Sequence, residues 1–394
     1  MAFFVGTAQS SFANMNQVGV GTTSTAGMNA GVGTEKGALT FDTDKNILKV
    51  FIGSKWQAVG DQTGSINATG GTKITSGDYV YHVWCKDSPT PSKALTVEAG
   101  EGNASILVVG GGGGTSCDNG GAGGAGGIAY GPEIPLTPGT YAVSIGDGGL
   151  YNPARDNTFN WGTLSSFTHP LGTFTGYGGQ GSANADSSYD IFTPYAVNPN
   201  VPANQMGSTC GGRVTNPTSE EAPITPVATS GQPQQPTFSG KITNYGNSGG
   251  PATNGHYWNS GGGGGAGGAG ATSSPSEPSP GRGIGGVGQA FPAFPAPVIA
   301  PGIPGPRQPE FTPAVGPTGL FGGGGGGSVE NPAQSFAGGP GGGGAGSNPN
   351  NGSDATTTGK YGTGGGQGSL GGTTSNPGVA KGGSGIVLVR YPKE

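Results

Sequence analysis

Apolar positions in this chain come in short bursts separated by turn chemistry. Ala38-Leu-Thr-Phe-Asp42, Ile47-Leu-Lys-Val-Phe51 and Trp56-Gln-Ala-Val59 are each strand-length. They are separated by Thr43-Asp-Lys-Asn46 and Gly53-Ser-Lys55, which suit turns. Residues 35–61 therefore predict a β-meander, too small to stand without a neighbour covering its apolar face. Further on, Tyr79-Val-Tyr-His-Val-Trp84 alternates poorly, as a strand covered on both faces would. Ala94–Val97, Ala104–Val109 and Thr140–Ile145 follow, and Gly385–Tyr391 reads as a last strand pairing back onto the early ones. No window shows a 3.6-residue apolar period with caps, so helix is expected to be nearly absent.

The predicted class is all-β: a small N-terminal β-meander, then a β-sandwich frame carrying a large glycine-rich insertion with long loops. The expected boundaries are 1–34 for an extended N-terminal arm, 35–61 for the meander as attachment module, and 72–394 for the glycine-rich sandwich domain. In that domain frame strands fall within 79–145 and 385–391, and residues 146–384 form the insertion.

Composition sharpens the picture of the insertion. The 394 residues include 89 Gly and 33 Pro, above the roughly 25–30% Gly plus Pro at which aperiodic chains are usually low in complexity. Charged residues are only 9%, which is unlike the charge-solvated disordered class. Glycine runs recur at 110–114, 120–127, in the 260s, and at 321–327, 338–344 and 363–366, without a fixed period. Helix is unfavourable for such runs by about 1 kcal/mol per residue relative to alanine. Polyproline II remains open to them, and side-by-side glycine helices of that kind can exchange N–H···O=C bonds because no Cβ separates them. Flexible linkers are the alternative.

The net charge of −5 is spread thinly, with basic residues scattered singly, which argues against nucleic-acid binding. The longest apolar runs, Ile106–Val109 and Ile386–Val389, fall far short of the ~20 residues that span a bilayer. Met1-Ala-Phe-Phe-Val-Gly6 lacks a basic leader, so no signal peptide is expected. Cys85, Cys117 and Cys210 form no CxxC pair and predict free thiols. His82, His169 and His256 are far apart in sequence and fit no metal or hydrolase motif. Gly281-Arg-Gly-Ile-Gly-Gly286 fits GxGxxG but has no strand before it or helix after it. The carboxylate pairs Asp42/Asp44 and Glu220/Glu221 read as turn and solvated loop respectively. The expectation is a non-enzymatic protein without cofactor or metal.

Four stretches stand out: Gln17-Val-Gly-Val-Gly-Thr-Thr23, Gly37–Trp56, Ile106–Gly114 with Gly126–Tyr130 and Leu136–Gly149, and the ending Gly382-Gly-Ser-Gly-Ile-Val-Leu-Val-Arg-Tyr-Pro392. Together they resemble structural proteins of marine tailed bacteriophages, particularly those infecting cyanobacteria. The resemblance covers about 15–23, 37–59, 79–149 and 382–392, and does not extend to 150–320. It implies a virion structural protein, a tail fibre or fibre-tip adhesin binding a host surface glycan or outer-membrane protein. The N-terminal arm would be held by other virion proteins, and a homotrimer is expected. The alternative is a head-surface fibre or decoration protein anchored to the capsid by that arm. A secreted host wall protein is a third reading, disfavoured by the missing signal peptide. Aromatics set among Asn, Ser, Thr and Gly in the long loops suit recognition, and make Trp161, Tyr177, Tyr189, Tyr195, Tyr257 and Trp258 candidate receptor contacts. Residues 150–260 and 271–320 are expected to cluster on exposed tips.

Overall fold

The structure, a computed structural model, describes residues 66–87, 93–116, 120–151, 160–182, 207–211, 241–252, 259–273, 282–329, 334–347, 357–370 and 380–393. It also describes 21–24, 26–27, 37–43, 47–52 and 55–58, with short strands at Phe4–Val5, Ala8–Gln9 and Arg213–Val214. The fold is all-β. Near the N-terminus, Leu39–Asp42, Ile47–Ile52 and Lys55–Ala58 form the expected antiparallel meander. Gly21–Thr23, from the segment expected to be an extended arm, adds a parallel edge strand beside Leu39–Asp42. Asp42 lies in a strand and not in a turn: its carboxylate is buried and ion-paired to Lys49 Nζ at 2.7 Å.

Two antiparallel sheets make the sandwich. One runs in the order Thr243–Tyr245, Ile128–Leu136, Gly102–Val109, Ile386–Pro392, Tyr79–Cys85, Thr72–Ser76, and the other Gly172–Gly176, Ser165–His169, Gly139–Ser144, Ala94–Ala99, Asn67–Thr69. The strand Ile386–Pro392 sits in the middle of the first sheet, with Val387 opposite both Val108 and Trp84. Leu95, Val97, Ile106, Val108, Tyr141, Phe167, Phe174, Val387 and Val389 meet between the sheets. The strand Ile128–Leu136 belongs to the frame, and so does the hairpin Ser165–Gly176, which falls inside the expected insertion 146–384.

The outer face of the six-stranded sheet is also apolar. Tyr81, Val83, Leu107, Val109, Ile386 and Leu388 pack under a cap that carries Phe291, Phe294, Ile299, Ile303, Phe311 and Val315. This accounts for the poor alternation of Tyr79–Cys85, because both of its faces are dry. The cap contains two short helices, Ala296–Ile299 and Gln308–Val315, with 3₁₀ turns at Ala300–Gly302 and Gly305–Arg307. It corrects the expectation that 271–320 forms exposed tips: the aromatic and aliphatic positions from Phe291 to Phe321 are a layer of the fold.

Beyond the sandwich the glycine runs form a lattice of extended rods. Successive amides of Gly110–Gly112 reach three different neighbours, at Gly127 O (3.0 Å), Thr163 O (3.0 Å) and Gly383 O (2.9 Å). Gly113 then returns to the first neighbour at Gly124 O (2.8 Å), and Gly114 to the second at Asn160 O (2.7 Å). A repeat of three residues is that of polyproline II. The rod 120–127 donates from Gly123, Gly124 and Ala125 to Gln367, Gln180 and Gly264. It accepts from Gly110, Ser208 and Gly325, so six neighbours surround it. A Cβ on Gly123 would strike Gly113 O, and one on Gly263 would strike Gly123 O, far inside contact distance. Glycine is required by this close approach, and packing replaces the linker alternative wherever the rods are described.

Candidate functional site

The rods stand on one edge of the sandwich, where strand ends run into several of them. Val109 leads into 110–116, and 120–127 returns to Ile128; Gly176 leads into 177–182, and 380–385 returns to Ile386. Register carries this polarity through the lattice. Gly179 and Ser182 donate to Gly111 and Gly114 in parallel, whereas Gly263 and Ala266 donate to Gly325 and Gly322 in antiparallel. Outgoing rods therefore end at Ser116, Tyr151, Ser182, Gly211, Ala252, Ser273, Val329, Ser347 and Leu370, all at the end away from the sheets. Incoming rods start there at Gly120, Asn160, Asn259, Arg282, Gln334, Thr357 and Ala380. Cross-links at that end confirm the alignment: Tyr151 N to Ala380 O, Ser347 N to Ser369 O, the pairing of Asn259 with Val329, and the Ala252–Ser273 bridge. At this end the rods run on into 117–119, 152–159, 183–206, 215–240 by way of Arg213–Val214, 253–258, 274–281, 330–333, 348–356 and 371–379. The chain enters the sandwich at the opposite end, where Asn67 pairs with Ala99 beside the turn into Gly102.

This end has its own chemistry. Glycine gives way to Thr115, Ser116, Ser182, Asn259, Ser260, Ser273, Ser328, Ser347, Thr357, Gln367 and Ser369, each at most 4% exposed. Ser369 Oγ donates to Gly120 O at 2.8 Å and lies 2.9 Å from Ser328 Oγ, which is 3.4 Å from Ser260 Oγ. Ser328 N donates to Ser260 Oγ at 2.9 Å. Thr115 N donates to Gln367 Oε1 at 3.0 Å, and Ser116 N to Ser182 Oγ at 3.1 Å. Ser273 Oγ donates to Asn259 Oδ1 at 2.5 Å. Hydroxyl and amide groups thus tie rod to rod alongside the backbone cross-links at this end.

Of the six aromatic residues proposed as receptor contacts, Trp161 and Tyr177 are described. Both are half-buried in outer rods, Trp161 between lattice residues Asn160 and Gly162, and Tyr177 accepting from Gly127 N through its carbonyl. Tyr189, Tyr195, Tyr257 and Trp258 lie outside the described residues. Other loop aromatics became core: Phe167 and Phe174 are in the sandwich, and Tyr245 packs edge-on to Phe291 at 5.4 Å. The buried polar layer was not foreseen; its only trace in sequence is the Ser or Thr that ends several glycine runs.

The remaining residues singled out by chemistry are structural where they are described. His82 is fully buried, 2.6 Å from Gly70 O and 2.9 Å from Tyr391 Oη, and burial pulls its pKa down to about 4. His169 contacts Pro135 O at 2.8 Å and accepts from Leu171 N at 3.1 Å. Residues 282–286 of the GxGxxG match form a rod, with Gly286 N bonded to Gly263 O. Cys85 is buried, its Sγ 3.7 Å from Gly302 O; Cys117, His256, Asp44, Glu220 and Glu221 lie outside the described residues. Among the described residues no cluster of His, Cys, Asp or Glu could hold a metal ion, and no helix is long and apolar enough to cross a membrane.

A family model described as a glycine-rich domain matches residues 88–392. No curated protein matches the chain.

Proposed function

The chain belongs to the glycine-rich domain family, and from that premise we propose that it is a virion structural protein of a tailed bacteriophage: a tail fibre or fibre-tip adhesin that binds the host-cell surface without catalysis. The observation that carries this reading is polarity. The chain enters the sandwich at one end, and the long Asn-, Ser-, Thr- and aromatic-rich segments leave from the other, rooted on a rigid lattice. Loops held by a rigid scaffold are where recognition concentrates, and their composition suits sugar faces and polar outer-membrane loops. Residues 1–61 then form the attachment and assembly end, gripped by other virion proteins and completed in a homotrimer, because a four-stranded sheet of this size needs a covering partner.

The test shortens 183–206 and 215–240 while keeping the rods, then measures particle adsorption to host cells. Normal assembly with lost or altered adsorption supports the adhesin. Unchanged adsorption refutes it and leaves a head-surface decoration protein, a role that imaging tagged protein on the particle would identify.

A further inference from the structure

We infer that the buried hydroxyl and amide layer at the loop-bearing end is a collar of positioning residues, in which Ser328, Ser369, Ser260 and the Thr115–Gln367 pair set the geometry of the loop roots. The inference rests on the adhesin reading for its functional part, and on the structure alone for its mechanical part.

Within the lattice, rods are so close that a Cβ on Gly324 would strike Gly263 O and one on Gly366 would strike Gly123 O. A few residues along the same rods, Ser260, Ser328 and Ser369 carry side chains and are still fully buried. Only the gaps that these three side chains face are therefore one side chain wide, while a Cβ on the adjacent Gly327 would still strike Ser260 O, and direct amide-to-carbonyl bonds do not bridge every such gap. The hydroxyls bridge instead. One relay runs from Gly120 O through Ser369 Oγ and Ser328 Oγ to Ser260 Oγ, crossing four rods far apart in sequence. Gln367 holds the end of the first rod by accepting from Thr115 N. Val329, Leu370 and Ser116 stand one or two residues beyond these groups and are the last described residues before their loops. An alanine at position 328 or 369 keeps the Cβ that holds the rods apart and removes only the bridge, which releases the roots without collapsing the lattice.

The experiment uses the full chain with Ser369→Ala and Ser328→Ala, and with Ser260→Ala as a milder variant at the end of the relay should either of the others fail to fold. Amide exchange is followed at Ser116, Gly120, Val329 and Leu370 and, as an internal reference, at Gly123–Gly126. Particles carrying each variant at wild-type copy number are assayed for adsorption. The expected result is exchange at least tenfold faster at the rod ends, no change at Gly123–Gly126, and adsorption reduced several-fold. Unchanged exchange at the rod ends, or an equal rise throughout the lattice, overturns the collar. Faster exchange at the ends with wild-type adsorption overturns its role in positioning, provided the loop-shortened particles have lost adsorption. If those too adsorb normally, the adhesin reading is what fails.

Discussion

His82 offers the sharpest quantitative test of the frame. It is fully buried, stacked between Trp84 and Tyr391 with centroids 5.8 and 5.6 Å away. With Nδ1–H donating to Gly70 O, Nε2 is left to accept from the Tyr391 hydroxyl. One imidazole thus joins the turn that passes from the five-stranded to the six-stranded sheet and the central strand Ile386–Pro392. Its register partners are Val389 on one side and Lys73 on the other. Desolvation, with a smaller contribution from the Lys73 charge, outweighs the Gly70 carbonyl and holds the pKa at about 4. The unfolded value is about 6.5. Between these values the unfolded chain binds a proton that the folded chain rejects, so stability is full above about pH 6.5 and falls on acidification until the pH drops below the folded pKa. The whole effect is about 3 kcal/mol, of which roughly 2 kcal/mol is lost between pH 7 and 5. Denaturant unfolding at the two pH values, in wild type and His82→Gln, measures it. The variant is expected to be less stable at pH 7 and to have a pH-dependent loss smaller by about 2 kcal/mol. Equal losses in both proteins, or a His82 imidazole resonance titrating near pH 6.5, would refute the reasoning.

Two further outcomes follow from packing. Gly123→Ala puts a methyl against Gly113 O in a rod with six neighbours and is expected to cost at least about 3 kcal/mol or abolish folding. Gly77→Ala, with φ of 55° and nothing within 4 Å of a Cβ, costs only about 1–2 kcal/mol of backbone strain; thermal melts of the two variants check the contrast. Phe311→Ala empties a fully buried site in the cap beside Phe321 and is expected to cost about 3–5 kcal/mol. Its near-ultraviolet circular dichroism would report whether the cap stays docked.

The frame was legible because its strands carry unbroken apolar runs, and the pairing of Ile386–Tyr391 with the early strands followed from strands at both ends of a glycine-rich middle. The lattice was legible from chemistry, since few conformations let long glycine runs satisfy their amides. The cap was not. Proline stands at the start of both short helices and inside the second at Pro313, which erases the usual helical pattern. Its buried Phe, Ile and Val are scattered among turns. Strand Ile128–Leu136 was hidden by Pro132 and Pro135, which are tolerated because Thr243–Tyr245 covers only Ile128–Tyr130 and leaves the rest an edge. As for the site, the sequence pointed to aromatic loops, but the polar layer beneath them comes from single Ser and Thr residues whose neighbours are brought in by register, from as many as 252 residues away in the case of Thr115 and Gln367.

The rod lattice also gives the molecule an unusual thermal character. Its interior is peptide backbone hydrogen-bonded to peptide backbone, with scarcely a hydrocarbon side chain between the rods. Exposing apolar surface raises heat capacity, whereas exposing polar surface lowers it. Melting this region uncovers mostly amide, so the heat-capacity increment per residue falls below the usual ~12–15 cal/mol/K. A small increment flattens the curve of stability against temperature. The rods would hold their shape about equally well in cold and warm water, and the hydrocarbon-rich sandwich beneath them would set the temperature limits of the whole chain.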